Sequence, residues 1–238
     1  VIRLAILLAV LAGPAAAQDL TLSLGEGGSA SGRILHLLVL VTLLSLVPGL
    51  AVMVTCFPFI VTVLSILRQA LGLQAAPPNM LIVTLALFLS WYVMDPVLTT
   101  AWEAGGAPFA AGHMPLEDAF PRAATPFRHF MAARLNPETF SALEALRPGL
   151  PVVSDPADAD LSLLIPSFLL SEITRAFQIG FILFLPFLII DLVVAAILMS
   201  MGMMMVPPAI VALPFKLAFF VVADGWTLVA SALVRSYG

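Results

Sequence analysis

The chain has 238 residues, of which 61% are hydrophobic and only 10% charged, with a formal net charge of −4. Soluble domains are about one quarter charged, so an ordinary soluble fold is excluded, and the small negative charge argues against a nucleic-acid partner. The single cysteine, Cys56, leaves no intrachain disulfide, and His36, His113 and His129 share no metal-ligand spacing.

Residues 1–17 read as a secretory signal peptide. Arg3 is a short basic lead, Leu4 to Leu11 form the apolar core, and Ala15-Ala16-Ala17 is the small-residue site that predicts cleavage before Gln18. Residues 18–33 are mostly small and polar, a flexible lead-in. From Ile34 to Leu67 the chain is almost continuously apolar. At about 1.5 Å per residue that is too long for one straight span, and Pro48-Gly49 and Pro58 predict a kinked or broken helix. A turn over 68–79 follows, with Asn79 placed to cap the next helix. That second span runs from Met80 to about Trp102. Trp91, Tyr92 and Trp102 suit an interfacial belt, and Asp95-Pro96 predicts a kink or an early exit. Residues 34–102 are thus a first helical hairpin.

Residues 103–160 hold eight acids and four arginines among many prolines and glycines. Thr125-Pro126 and Asn136-Pro137 carry the cap-then-proline pattern that starts helices. They predict two short helices, about 126–135 and 137–146, in a small solvated extracytoplasmic insert. Residues 161–238 form a second helical hairpin. Ile179 to Leu198 and Val206 to Val234 are its spans, and Glu172 and Arg175, three apart, form a helix-surface pair. The expected fold is an all-α membrane protein of helical hairpins, with about four long hydrophobic helices, some broken. With the N-terminus outside, the insert lies outside and both tight turns inside. The first turn has one arginine and the second no charge, so the positive-inside rule gives little direction. That points to helices that do not sit in lipid as simple hairpins.

Two features of the second hairpin carry candidate chemistry. Asp191 is the only charge between Ala176 and Phe215, and a carboxylate deep in an apolar helix needs a partner or a wet cavity. Lys216 is the next charge along the chain, and the midpoint of the two falls between Met203 and Met204. A hairpin tip centred there puts both at similar depth and predicts a structural Asp191–Lys216 pair. The tip itself holds Met199, Met201, Met203, Met204 and Met205, five methionines in seven residues. Three readings suit such a cluster: interface packing, a thioether site for Cu(I), or a deformable seal. No catalytic residue is expected. Ser171-Glu172 is not a nucleophile–base arrangement, and Asp191 and Asp224 lack the surroundings of an intramembrane aspartyl protease. No cofactor or metal site is expected either. A small-solute or Cu(I) carrier is the reading of a different class, though no inverted repeat supports it.

Longer motifs add a resemblance. Pro166-Ser-Phe-Leu-Leu-Ser-Glu-Ile-Thr-Arg-Ala-Phe-Gln-Ile-Gly180, Phe184-Leu-Pro-Phe-Leu-Ile-Ile-Asp-Leu-Val-Val-Ala195, the methionine turn, Pro214-Phe-Lys-Leu217 and Ala223-Asp-Gly-Trp226 resemble the FliP family. So do Leu67-Arg-Gln-Ala-Leu-Gly72, Pro77-Pro-Asn79 and Leu85-Ala-Leu-Phe-Leu89. The resemblance covers about 34–102 and 161–238. It implies a core subunit of the flagellar type III protein export gate in the bacterial inner membrane, at the flagellar basal body. It further implies a homo-pentamer joined by FliQ and FliR, working with FlhA and FlhB to pass unfolded flagellar subunits. The five methionines would then be the pore gasket. A homologous subunit of virulence type III secretion is the near alternative; the signal peptide favours the flagellar branch. One departure stands out. Family members have a basic residue in a Phe-Thr-Arg-Ile-like run where this chain reads Phe57-Pro58-Phe59-Ile60.

Overall fold

The structure is a computed structural model that describes residues 52–237 except 74–76, 148–152, 154 and 204, together with residues 37–39, 41, 42, 45 and 49. The expected signal peptide and lead-in, and most of the first apolar stretch before Val52, lie outside the described residues. The chain divides into two units, Val1–Pro48 and Gly49–Gly238, and all helices with defined bounds lie in the second. The described elements are helical, and no strand occurs among them.

Helix α1 is Phe57–Ala70. Pro58 lies in its first turn, where a missing N–H costs nothing. The interruption expected at this proline is therefore a helix start. Phe59, Ile60, Val63, Leu64 and Leu67 share one face and are almost wholly buried, following the 3.6-residue period. Fourteen residues make about 21 Å, too short for a hydrocarbon core of about 30 Å. This helix is the centre of the unit, packed against α2 (Asn79–Ala101) and α6 (Leu161–Ser200).

Asn79 does not cap α2. The cap position is Pro78, and Asn79 is the first helical residue, its side-chain oxygen taken by Arg68 from the end of α1. Nor does α2 stop at Asp95-Pro96. Proline removes one backbone bond, but in apolar surroundings every other backbone group must stay paired, so the helix runs on. It passes through a π-helical turn at Trp102–Gly106 into α3 (Ala107–Ala110), giving 32 continuous helical residues. The widened turn falls where the insert docks: a Cβ on Gly105 would lie 2.3 Å from the Ala119 carbonyl.

The insert contains α4 (Leu116–Arg134) and α5 (Pro137–Ala145). Helix α4 starts ten residues before the expected 126, with Pro121 and Pro126 inside it. Thr125 does not cap anything; its hydroxyl donates back to the Pro121 carbonyl at 3.0 Å. Glu117 and Asp118 supply the first-turn acids that favour the earlier start. At α5 the expected pattern appears. Asn136 Oδ1 accepts from the Glu138 and Thr139 amides at 2.8 and 3.3 Å.

Helix α6 has 40 residues, about 60 Å. The span expected to begin at Ile179 is the second half of this one unbroken helix. Gly180 is where α1 comes closest, since a Cβ there would lie 2.5 Å from Ile66 Cδ1. The last expected span is two helices, α7 (Pro208–Val222) and α8 (Gly225–Arg235), bent by 61°. The bend falls at Asp224, whose left-handed φ of 47° breaks the helical path. Among the described residues two helices, Asn79–Ala110 and Leu161–Ser200, are long and apolar enough to cross a membrane, and the α7–α8 pair makes a third if counted as one span. The protein is an all-α membrane protein, with two or three such helices among the described residues.

Candidate functional site at the methionine loop

Helix α6 ends because of a glycine. Gly202 has φ +74°, its amide donates to the Met199 carbonyl at 3.1 Å, and the Met203 amide donates to the Leu198 carbonyl at 3.0 Å. These two bonds make a Schellman motif, which satisfies carbonyls that a helix end would otherwise leave bare. Pro207 and Pro208 then start α7. Backbone bonds and prolines thereby set the loop.

The methionine side chains point outward. Met199, Met201 and Met203 are exposed and Met205 is 97% exposed; Met204 lies outside the described residues. Below the tip, α6 and α7 pack through Val194, Leu198 and Ala212. Beside that seam runs an apolar groove of about 500 Å³, lined by Ile190, Val194, Ile197, Met201, Met203 and Phe215 among others. Thioethers are flexible and polarisable and fill irregular spaces. The loop therefore presents an adaptable apolar surface with no side-chain hydrogen bond to satisfy.

The two charges under the tip meet. Lys216 Nζ lies 2.6 Å from Asp191 Oδ2, and the lysine is buried. Position along the hairpin accounts for this, since the two residues are nearly equidistant from the loop on helices running back to back. The same ammonium also donates to the Ala70 carbonyl at 3.0 Å. Ala70 is the last residue of α1, so its carbonyl belongs to the negative end of that helix. Sequence reasoning misses this partner because a main-chain oxygen has no residue signature. Asp191 Oδ1 is buried without a hydrogen-bond partner.

Glu172 and Arg175 do meet across one turn of α6, as their spacing suggests, but not at the surface. Glu172 is fully buried, and Arg175 Nη1 stands off at 3.9 Å. The nearer cation is Arg134 of α4, with Nε 3.1 Å from Glu172 Oε1. A buried carboxylate needs close, charge-assisted donors, and a tertiary partner supplies them better than a neighbour on the same helix.

These features define an all-α membrane protein whose longest described helix ends at a loop of exposed methionines, braced beneath by the Asp191–Lys216 ion pair. The sequence model of the FliP family matches residues 40–233. The chain is 44% identical over 234 residues to the flagellar biosynthetic protein FliP of Caulobacter vibrioides, covering 98% of this chain and 88% of that one. It is 42% identical to that of Aquifex aeolicus, covering 91% and 90%, and 40% identical to that of Bacillus subtilis, covering 84% and 90%. The chain belongs to the FliP family.

Proposed function

We propose that the chain is a core pore-forming subunit of the flagellar type III protein export gate, passing unfolded flagellar subunits through a channel sealed by methionine. The relatives' shared name, flagellar biosynthetic protein, supports the flagellar role. The observation that carries the seal is the outward display of Met199, Met201, Met203 and Met205 on a loop that its own backbone closes. Repeated around a ring of copies, such loops form an apolar collar. A collar of this kind excludes water and ions when empty, and it adapts to any passing sequence because thioethers repack without fixed partners. The Asp191–Lys216 pair and the lysine's bond to Ala70 fix where each tip points. The gate acts by passive gating and carries out no chemistry of its own.

The ring is a homo-pentamer in the inner membrane at the flagellar basal body, joined by FliQ and FliR and working beside FlhA and FlhB, with the 103–160 insert on the extracytoplasmic side. The mass of the complex purified after co-expression with its small membrane neighbours tests this directly. A ring of several copies is expected. A monomer that binds Cu(I) stoichiometrically would replace the export reading with a carrier.

A further inference from the structure

Far from the methionine loop, Ser236 and Tyr237, just after α8, are tied to the insert. Tyr237 is the meeting point of three helices. Its hydroxyl donates to Glu172 Oε2 on α6. Its ring stacks on Phe130 of α4, with centroids 6.0 Å apart and planes 15° apart, and meets Phe59 of α1 edge-on at 5.5 Å. The Arg134 guanidinium, also on α4, lies over the same ring at 3.9 Å.

Arg134 closes the circle. Its Nη1 donates to the Ser236 carbonyl at 2.7 Å while its Nε holds Glu172. One arginine of the insert thus grips both the carboxylate of α6 and the backbone beyond α8. Its Nη2 is buried with no acceptor, so the Tyr237 ring and the two existing bonds are what compensate the buried charge. Burial pushes the Tyr237 hydroxyl well above the usual tyrosine range, and the charge of Glu172 and the bond to it push the same way. The group therefore stays protonated and remains a donor.

We infer that Ser236–Tyr237 is a latch that locks the insert onto α6. Arg134 and Tyr237 are its two moving parts and Glu172 is the fixed catch. The insert has other contacts with α6, notably Met131 against Leu164 and Phe168 and the Asn136 amide on Ser171 Oγ at 2.9 Å. Those tie α4 and the start of α5 to α6. The latch adds a link from the insert to the end of α8, and through the bend at Asp224 to α7, which carries Lys216. Release of the latch frees the end of α4 and the end of α8 together.

Hydrogen exchange on the full chain in detergent or nanodiscs tests this. In Y237F the ring stays and only the donor to Glu172 is lost; E172Q removes the charge and keeps the shape. Each variant is expected to raise exchange about tenfold over residues 128–136 and 232–237 while leaving 190–216 unchanged. The double variant should go little further than either single one. Added to K216M, which acts at the other end of α6, Y237F should instead be additive. Unchanged exchange over 128–136, or a rise spread evenly into 190–216, would overturn the latch. So would full additivity of Y237F with E172Q. Because Y237F is conservative, the result stands even where Y237A fails to fold.

Discussion

Helix α6 carries two charged clusters, at Glu172 and at Asp191, about 28 Å apart along its axis, and they are built in opposite ways. At Asp191 the cation is the buried member. Lys216 is enclosed and shared between a carboxylate and the end of α1, while the Asp191 side chain stays 34% exposed. At Glu172 the anion is the buried member, wholly enclosed and served by Arg134 and Tyr237 with Arg175 farther off. The first cluster braces the methionine hairpin and ties it to the end of α1 through the Ala70 carbonyl. The second is a junction that joins α6, the insert and the segment after α8. The brace leaves its carboxylate partly exposed; the junction encloses its carboxylate and must satisfy it with close donors.

That contrast predicts a ranking. The largest loss is expected for Glu172→Ala, which strands Arg134 and the Tyr237 hydroxyl in a buried site. The cost should be about 3–5 kcal/mol, read as a fall in the unfolding temperature of the purified chain. Comparable stability in Glu172→Ala and Asp191→Ala would erase the distinction between a junction and a brace. Next come Asp191→Asn and Lys216→Met. Each should cost about 2–3 kcal/mol, somewhat below a fully buried pair because Asp191 is partly exposed. The double variant should recover part of the loss, the coupling that a double-mutant cycle measures. Lys216→Met should remain the more harmful single change, since it also strips the Ala70 carbonyl of its donor. Strictly additive damage would sink the pairing. The smallest effect is expected at the loop itself. Gly202→Ala forces a side chain into φ +74° at a cost of about 1 kcal/mol, with fraying confined to the last turn of α6. A wild-type exchange pattern there would mean that the Schellman motif does not set the loop.

The two clusters also differ in how far the sequence discloses them. Asp191 and Lys216 sit at nearly equal distances from the methionine turn, so a hairpin alone brings them to one level. Nothing comparable marks Arg134. It is one of four arginines in a polar insert, and a solvated loop explains all four equally well until the fold is seen. Tyr237 likewise follows a helix with no motif around it. Backbone partners such as the Ala70 carbonyl are invisible in principle. Prolines and glycines were legible as punctuation but ambiguous in meaning. Pro58 begins a helix, whereas Pro96, Pro121 and Pro126 lie within helices. Gly180 marks a close approach and Gly202 a helix end. In each case tertiary packing, which a local pattern does not contain, decides between the two. Asn136 was readable because its cap is wholly local.

The central claim is that the methionine loop seals a channel, and ion conductance tests it most directly. Met203, Met204 and Met205 are replaced together by alanine in the assembled complex, and ion leak is measured beside export of flagellar subunits. The account predicts a marked rise in leak with export retained, because the short side chains leave the collar open while the braces below it stay in place. An unchanged leak would contradict the seal.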